Sequence, residues 1–371
     1  MDTKRTGRNL VLCFDGTNNR YAASNTNVVK LLTLLDREGR DDQLFYYLPG
    51  VGTVAPHGRL SGFKRGALLG LDLAVAWLLP EHVQAGYRFL MRYYKPGDRI
   101  YLFGYSRGAY TARALAGMLH RCGLLAKGNE ELVPLAWTMY AKERDFKVCG
   151  GFKKTFSRKV RVNFLGLFDT VSSFGWAWRP KWLPNTARNT SVDVVRHAVA
   201  LDERRAKFAE NLWGGADQTL SFKKQDVQQV WFAGSHSDIG RGRASLRWML
   251  GEAAAVGLQL SEMALAERLK GDSGWLSPLI DSMRWPWTLV EWMPLPWRVR
   301  MGRFRNKPLW ATRWGVHAGR ARPVPANALL HESVRARLSE GGYERDGLPE
   351  SPGFVGDRPL GRDEALRDVA A

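Results

Sequence analysis

Ser106 lies between two glycines in Gly104-Tyr105-Ser106-Arg107-Gly108. This is the spacing of a nucleophile elbow, where a serine occupies a tight strand-to-helix turn and small neighbours let the backbone bend. A serine hydroxyl is a weak nucleophile until a base takes its proton and an acid orients that base. Seven histidines are available. His57 and His82 precede the serine, His120 closes the segment after it, and His317 sits in a basic loop. His197 falls in VVRHAVALDERRAKF, which reads as helical. His236 follows the β-rich run VQQVWF in AGSHSDIG, and Asp169 ends NFLGLF in the same way. Ser106, Asp169, His236 is also a chain order in which acyl-transfer chemistry recurs.

In that chemistry His236 takes the Ser106 proton and Asp169 fixes the imidazole. The oxyanion would meet the backbone N–H of Arg107, directly after the nucleophile, and one from the turn after the first strand, Gly16 or Thr17. Asp15 is expected to brace that turn through its side chain. The competing base is His331, in NALLHESVRARL, with Asp238 then the acid; a helix cap or packing contact is its non-catalytic reading. FDGT also matches part of the D-x-D-G-T motif of aspartyl phosphatases, but Cys13 stands where their nucleophile belongs. Asp15, Asp169, His236 and Asp238 are oxygen and nitrogen donors without metal-site spacing, so neither metal nor cofactor is expected.

Short apolar β-rich runs alternate with helix-like segments, the pattern of a mainly parallel sheet with helices on both faces. Strands are expected at 9–14, 43–48, 99–103, 160–168 and 227–232, and helices at 27–35, 67–94 and 109–119. Ligands of such sheets sit beyond the carboxyl ends of the strands. The polar clusters at 15–19, 106, 169–173 and 235–238 would all meet there.

With 371 residues the chain can bury a large core, and 45% apolar and 25% charged residues are ordinary for a globular protein. The 55 Lys and Arg against 36 Asp and Glu give a charge of +19, which favours anionic partners. Cys13, Cys122 and Cys149 form neither a disulfide framework nor a zinc motif, which points to a reducing compartment. The first apolar run is too short for a secretory signal. The longest, GALLGLDLAVAWLLP, contains Asp72 and falls short of the ~20 residues needed to span a bilayer. A cytoplasmic product is expected, with any export independent of a cleaved signal.

Residues 8–270 read as the catalytic core and 271–338 as a cap or insertion. The cap holds Trp275, Trp285, Trp287, Trp292, Trp297, Trp310 and Trp314 interleaved with arginines. Tryptophan favours the bilayer interface and arginine pairs with lipid phosphate, so the cap could meet an anionic membrane; packing onto the core is the plainer reading. No nucleic-acid module is present, so no specific nucleic-acid partner is expected. Residues 339–371, rich in Gly, Pro and charge, read as a flexible tail.

Eight stretches give the chain a family likeness: FDGTNN (14–19), NTNVVKL (25–31), YLPGVGT (47–53), LFGYSRGAYTAR (102–113), FLGLFDTVSSFG (164–175), HAVALDERRAKF (197–208), VWFAGSHSDIG (230–240) and LHESVRARL (330–338). It resembles the α/β hydrolases of domain of unknown function 2235, which include the catalytic modules of class-one type VI secretion lipase effectors. The resemblance implies an α/β-hydrolase fold, a serine esterase or phospholipase A acting on lipid esters, and Ser106, Asp169 and His236 as nucleophile, acid and base. Where the family continues its histidine motif with glycines, Arg241 follows Gly240. This sets a cation near the base, where it would bear on substrate choice or the base's pKa. The rival class is a non-catalytic lipid- or protein-binding module on the same fold.

Overall fold

The computed structural model describes residues 7–38, 42–50, 69–143, 145–171, 175–176, 179–180, 183–214, 225–269, 273–283, 285, 287–292, 295–304, 307–340 and 342–360. The loop expected at 51–58 with His57, the side chain of Asp72, the polar positions 172–173 and the tail end 361–371 lie outside this description.

Eight strands form one sheet: β1 (Asn9–Phe14), β2 (Gln43–Leu48), β3 (Arg99–Tyr105), β4 (Val162–Phe168), β5 (Val192–Ala200), β6 (Asp226–Phe232), β7 (Leu329–His331) and β8 (Gly353–Val355). Their order is β8-β7-β6-β5-β4-β3-β1-β2, and every neighbouring pair is parallel. β1 shows why the sheet is buried on both sides. Leu10, Leu12 and Phe14 enter one apolar cluster with α2 (Leu69–Tyr93) and α3 (Arg107–Cys122). Val11 and Cys13 enter another with α1 (Asn27–Thr33) and the helix Arg243–Ala254. Alternate side chains of a strand point to opposite faces, so a continuous apolar run calls for helices on both. The α/β-hydrolase-like architecture expected from the sequence is the one observed.

The chain leaves β1 for β2 on one side and returns to β3 on the other. That reversal opens a crevice at the carboxyl ends of β1 and β3.

Three expectations change. The segment 194–208, read as helix, begins inside a strand, since 192–200 are β5; its polar Arg196 is buried on the side chains of Glu252 and Asp226, so a helix-like mixture of polar and apolar residues fits a strand. The flexible tail does not hold for 342–360: β8 extends the sheet, Asp357 bonds His331 and Trp275, and Arg358 bonds Glu252. Likewise β7, assigned to the cap, belongs to the central sheet. The cap also includes the helix Trp287–Trp292 and an antiparallel hairpin, Leu295–Phe304 with Lys307–Gly315.

Candidate active site

β3 runs directly into α3 through Ser106, whose φ of 58° and ψ of −122° lie where L-residues are strained. Ser106 N–H donates to Phe168 O at 2.9 Å, tying the turn to the end of β4. The flanking glycines are required by contact. A Cβ on Gly104 would lie 2.5 Å from Gly108 O, and one on Gly108 would lie 2.2 Å from Phe14 O. Gly16 packs its α-carbon side against Ser106, where an added Cβ would meet the serine Cβ at 3.2 Å. The turn after β1 and the serine turn are therefore in contact.

Asp169 directly follows β4 with a positive φ of 42°, and its N–H donates to Ala198 O at 2.8 Å. His236 opens a short helix, His236–Arg241, after β6. Its Nδ1 is 2.6 Å from Asp169 Oδ2 and its Nε2 is 2.9 Å from Ser106 Oγ. All three side chains are buried. The His236 ring stacks on Tyr105 at 4.8 Å and meets the edge of Phe208 at 4.9 Å. Its backbone N–H donates to Glu203 Oε2 at 3.2 Å.

The electrostatics fix the proton positions. Burial alone would raise the Asp169 pKa, but the Arg322 guanidinium and the bond from His236 hold it well below the usual carboxylate range. An ionised carboxylate only accepts hydrogen bonds, so Nδ1 carries the proton and Nε2 accepts from Ser106 Oγ–H. Burial lowers the His236 pKa, partly opposed by Asp169, so the ring is neutral at neutral pH.

Arg322 was not singled out from the sequence. It is 7% exposed; Nη1 donates to Asp169 Oδ1 at 2.7 Å and Nη2 to Oδ2 at 3.0 Å. It occurs in AGRARPVP among other cations, and no spacing marks it.

The remaining sequence candidates have other placements. Asp15 accepts from Gly16 N at 2.8 Å, Tyr47 Oη at 2.9 Å and Thr26 Oγ1 at 3.1 Å, contacts that hold the turn. Burial raises its pKa against these bonds. The same geometry corrects Gly16 as an oxyanion donor, because its N–H is directed to Asp15. Thr17 remains in the turn, with its Oγ1 buried and without a hydrogen-bond partner. Arg107 opens α3, whose first-turn N–H groups project from the helix end. Asp238 accepts from Ser235 N at 2.7 Å and Ser235 Oγ at 2.9 Å, so it closes the turn before His236 rather than serving as the acid.

His331 is not the residue at Ser106. It caps the helix Glu332–Ser339 by accepting from Ser333 N at 3.2 Å, meets Asp357 at 3.2 Å and stacks on Phe232 at 4.4 Å. Arg241 donates to Asn19 Oδ1 at 2.7 Å and Ser24 O at 2.9 Å. It therefore ties down the 15–24 loop. Among the described residues no group of three or more His, Cys, Asp or Glu could hold a metal ion. No described helix is long and apolar enough to cross a membrane.

In the cap, Trp287 packs edge-on to Phe208 at 5.7 Å, and Trp275 bonds Asp357 and meets His331. Trp285 and Trp292 are 75% and 64% exposed. The side chains of Trp297, Trp310 and Trp314 lie outside the description.

An uncharacterized protein of Saccharomyces cerevisiae, YEL023C, is 44% identical over 221 residues, 55% of this chain and 32% of the relative. The chain thus spans about a third of that curated relative's length. A crystal structure of an uncharacterized protein from Pseudomonas aeruginosa is similar at 21% identity and a TM-score of 0.41, over 69% of this chain and 46% of that one. A structure of the Tle1 effector bound to the VgrG spike of the type VI secretion system is similar at 19% identity and a TM-score of 0.35, over 63% and 51% of the two chains. Residues 8–266 match the family model of the type VI secretion phospholipase effector Tle1-like catalytic domain, and the chain belongs to that family.

Proposed function

We propose that the chain is a serine hydrolase that cleaves the acyl esters of lipids, with phospholipase A or lipase-type activity. The observation that carries this reading is the 2.9 Å contact of His236 Nε2 with Ser106 Oγ, backed by Nδ1 on the Asp169 carboxylate. His236 Nε2 takes the hydroxyl proton as Oγ attacks the ester carbonyl carbon. The tetrahedral adduct then expels the alcohol, which receives that proton, and leaves an acyl-serine. Water attacks the acyl group, loses a proton to Nε2, and the acid departs as the proton returns to Ser106. Asp169 stays ionised throughout and steadies the imidazolium. The Arg107 and Thr17 N–H groups are the oxyanion donors in this scheme, and losing one would cost about 3 kcal/mol in the barrier.

Membership in a family named for phospholipase effectors supports a lipid ester as substrate. So does exposed apolar surface in the 271–338 segment. Trp285, Trp292, Leu276, Leu279 and Ile280 are exposed on a chain of charge +19, which suits docking on an anionic bilayer.

Incubation with vesicles of phosphatidylglycerol and phosphatidylethanolamine, followed by mass spectrometry of the products, tests the substrate class. Wild type should release free fatty acid and lysophospholipid in equal amounts, and Ser106→Ala should release neither. A folded wild type that hydrolyses a soluble ester but no vesicle lipid would overturn the lipid assignment.

A further inference from the structure

The Asp169 carboxylate is shared between His236 and a buried guanidinium. Oδ2 accepts His236 Nδ1 at 2.6 Å and Arg322 Nη2 at 3.0 Å; Oδ1 accepts Arg322 Nη1 at 2.7 Å and Ala200 N at 3.0 Å. All four in-plane acceptor positions are used. Arg322 is itself fixed: Nη1 also donates to Ala200 O at 3.1 Å and Nη2 to Phe208 O, and Glu210 Oε2 lies 3.9 Å from Nε. This fork sits in the stretch between the hairpin and β7, beyond the 8–266 match to the catalytic-domain family. A planar fork on a carboxylate fixes both distance and plane, which an ammonium cannot do.

Other charged groups around His236 follow the same plan. Glu203 reaches its backbone N–H from the loop after β5 and is paired with Arg205 at 2.7 Å. Arg205 in turn lies 3.7 Å over the Phe208 ring. Tyr105 covers one ring face from β3, with Asp15 and Arg241 beyond it, and burial raises its pKa. His197, on β5, accepts from Thr170 N, and burial lowers its pKa to about 3, so it adds no charge at neutral pH. The two carboxylates nearest the base, Asp169 and Glu203, thus each carry their own arginine.

We propose that Arg322 is a positioning residue for the reaction: its fork holds the Asp169 carboxylate in line with His236 Nδ1, and its charge offsets the carboxylate's pull on the imidazolium. His236 then stays a free base to lower pH than an unopposed His–Asp pair would allow. No proton moves to Asp169; the transferred proton travels only between Ser106 Oγ, Nε2 and the leaving or attacking oxygen. The inference rests on the serine hydrolase reading above.

The test is the rate of Ser106 labelling by a fluorophosphonate against pH, using the full chain as wild type, Arg322→Gln and Arg322→Lys. Arg322→Gln should move the acid limb to higher pH, because removing the cation lets Asp169 and Glu203 favour the protonated ring. Arg322→Lys keeps the charge and loses the fork. Its limb should stay with the wild type while its plateau rate falls roughly ten- to hundredfold. A folded Arg322→Gln with the wild-type limb overturns the electrostatic role, and Arg322→Lys with the wild-type plateau overturns the positioning role. If Arg322→Gln melts below assay temperature, the lysine variant decides: a shifted limb or an unchanged plateau overturns the proposal. Wild type that never labels overturns the hydrolase reading as well; labelled wild type with unaltered variants overturns this inference alone.

Discussion

Replacing Asp169 by asparagine tests how the site is held together. The carboxylate accepts four hydrogen bonds, two at each oxygen, and both oxygens face an Arg322 N–H. An asparagine has one oxygen and one NH2, so in either orientation the NH2 group meets two other N–H donors. If it faces His236, the ring must present a lone pair at Nδ1, and Nε2 then carries a proton and cannot accept from Ser106. If it faces Ala200, the Ala200 N–H and one Arg322 contact are lost. Either way the Arg322 guanidinium is left buried without its carboxylate, which costs about 3–5 kcal/mol. At a few degrees per kcal/mol, the melting temperature should fall by roughly 10 °C. Ester hydrolysis should fall about 10⁴-fold, because the wrong tautomer disables the base. Thermal melts by circular dichroism and initial rates on a soluble ester read both effects. A variant that melts with the wild type and keeps activity within tenfold would refute the reasoning.

Further expectations concern pH, packing and the cap. The acid limb of kcat/KM should lie below the ordinary histidine pKa near 6.5, because burial lowers the His236 pKa; a midpoint above that value would contradict the assignment. Stability should follow the same sign. Asp169 is depressed in the fold, so its contribution is full above the unfolded carboxylate pKa and is lost as pH falls below it. His236 is also depressed, so it weakens folding as pH drops below about 6.5, where only the unfolded ring takes up a proton. Denaturant titrations from pH 7 to pH 4 should therefore show falling stability; a flat profile would count against the buried pair. Gly108→Ala places a Cβ 2.2 Å from Phe14 O, a backbone atom that cannot rotate away, and should cost about 1–3 kcal/mol. Urea unfolding reads it, and a neutral result would contradict the close approach. Trp285→Ser with Trp292→Ser should weaken flotation with anionic vesicles while sparing hydrolysis of a soluble ester. Binding of the wild type should also fall with salt. Unchanged flotation would remove these tryptophans from the membrane surface.

Much of this was legible in the sequence, for identifiable reasons. The apolar runs that became β1, β3, β4 and β6 are long enough to show strand character, and a residue with chemistry ends or follows each of β3, β4 and β6. Ser106, Asp169 and His236 could be named together because the carboxyl ends of parallel strands share one rim. The reading failed where burial is sustained by pairing. Arg196 and His197 look like the polar side of a helix until Glu252, Asp226 and Gln229 are seen to satisfy them inside the sheet. β7 and β8, three residues each, are too short to show a period. Arg322 joins Asp169 across 153 residues of chain, a distance at which local pattern carries no information. Gly16 was misjudged because the Asp15 side chain bends back onto the adjacent N–H, a contact set by the turn's conformation.

The central claim is that His236 makes Ser106 a nucleophile, and labelling of the folded protein by a fluorophosphonate, with the modified peptide identified by mass spectrometry, tests it most directly. The label should sit on Ser106 in the wild type and be lost in Ser106→Ala, and His236→Ala should slow it by several orders of magnitude while His331→Ala leaves it intact. Label on another residue, or labelling that survives His236→Ala and disappears in His331→Ala, would contradict the account.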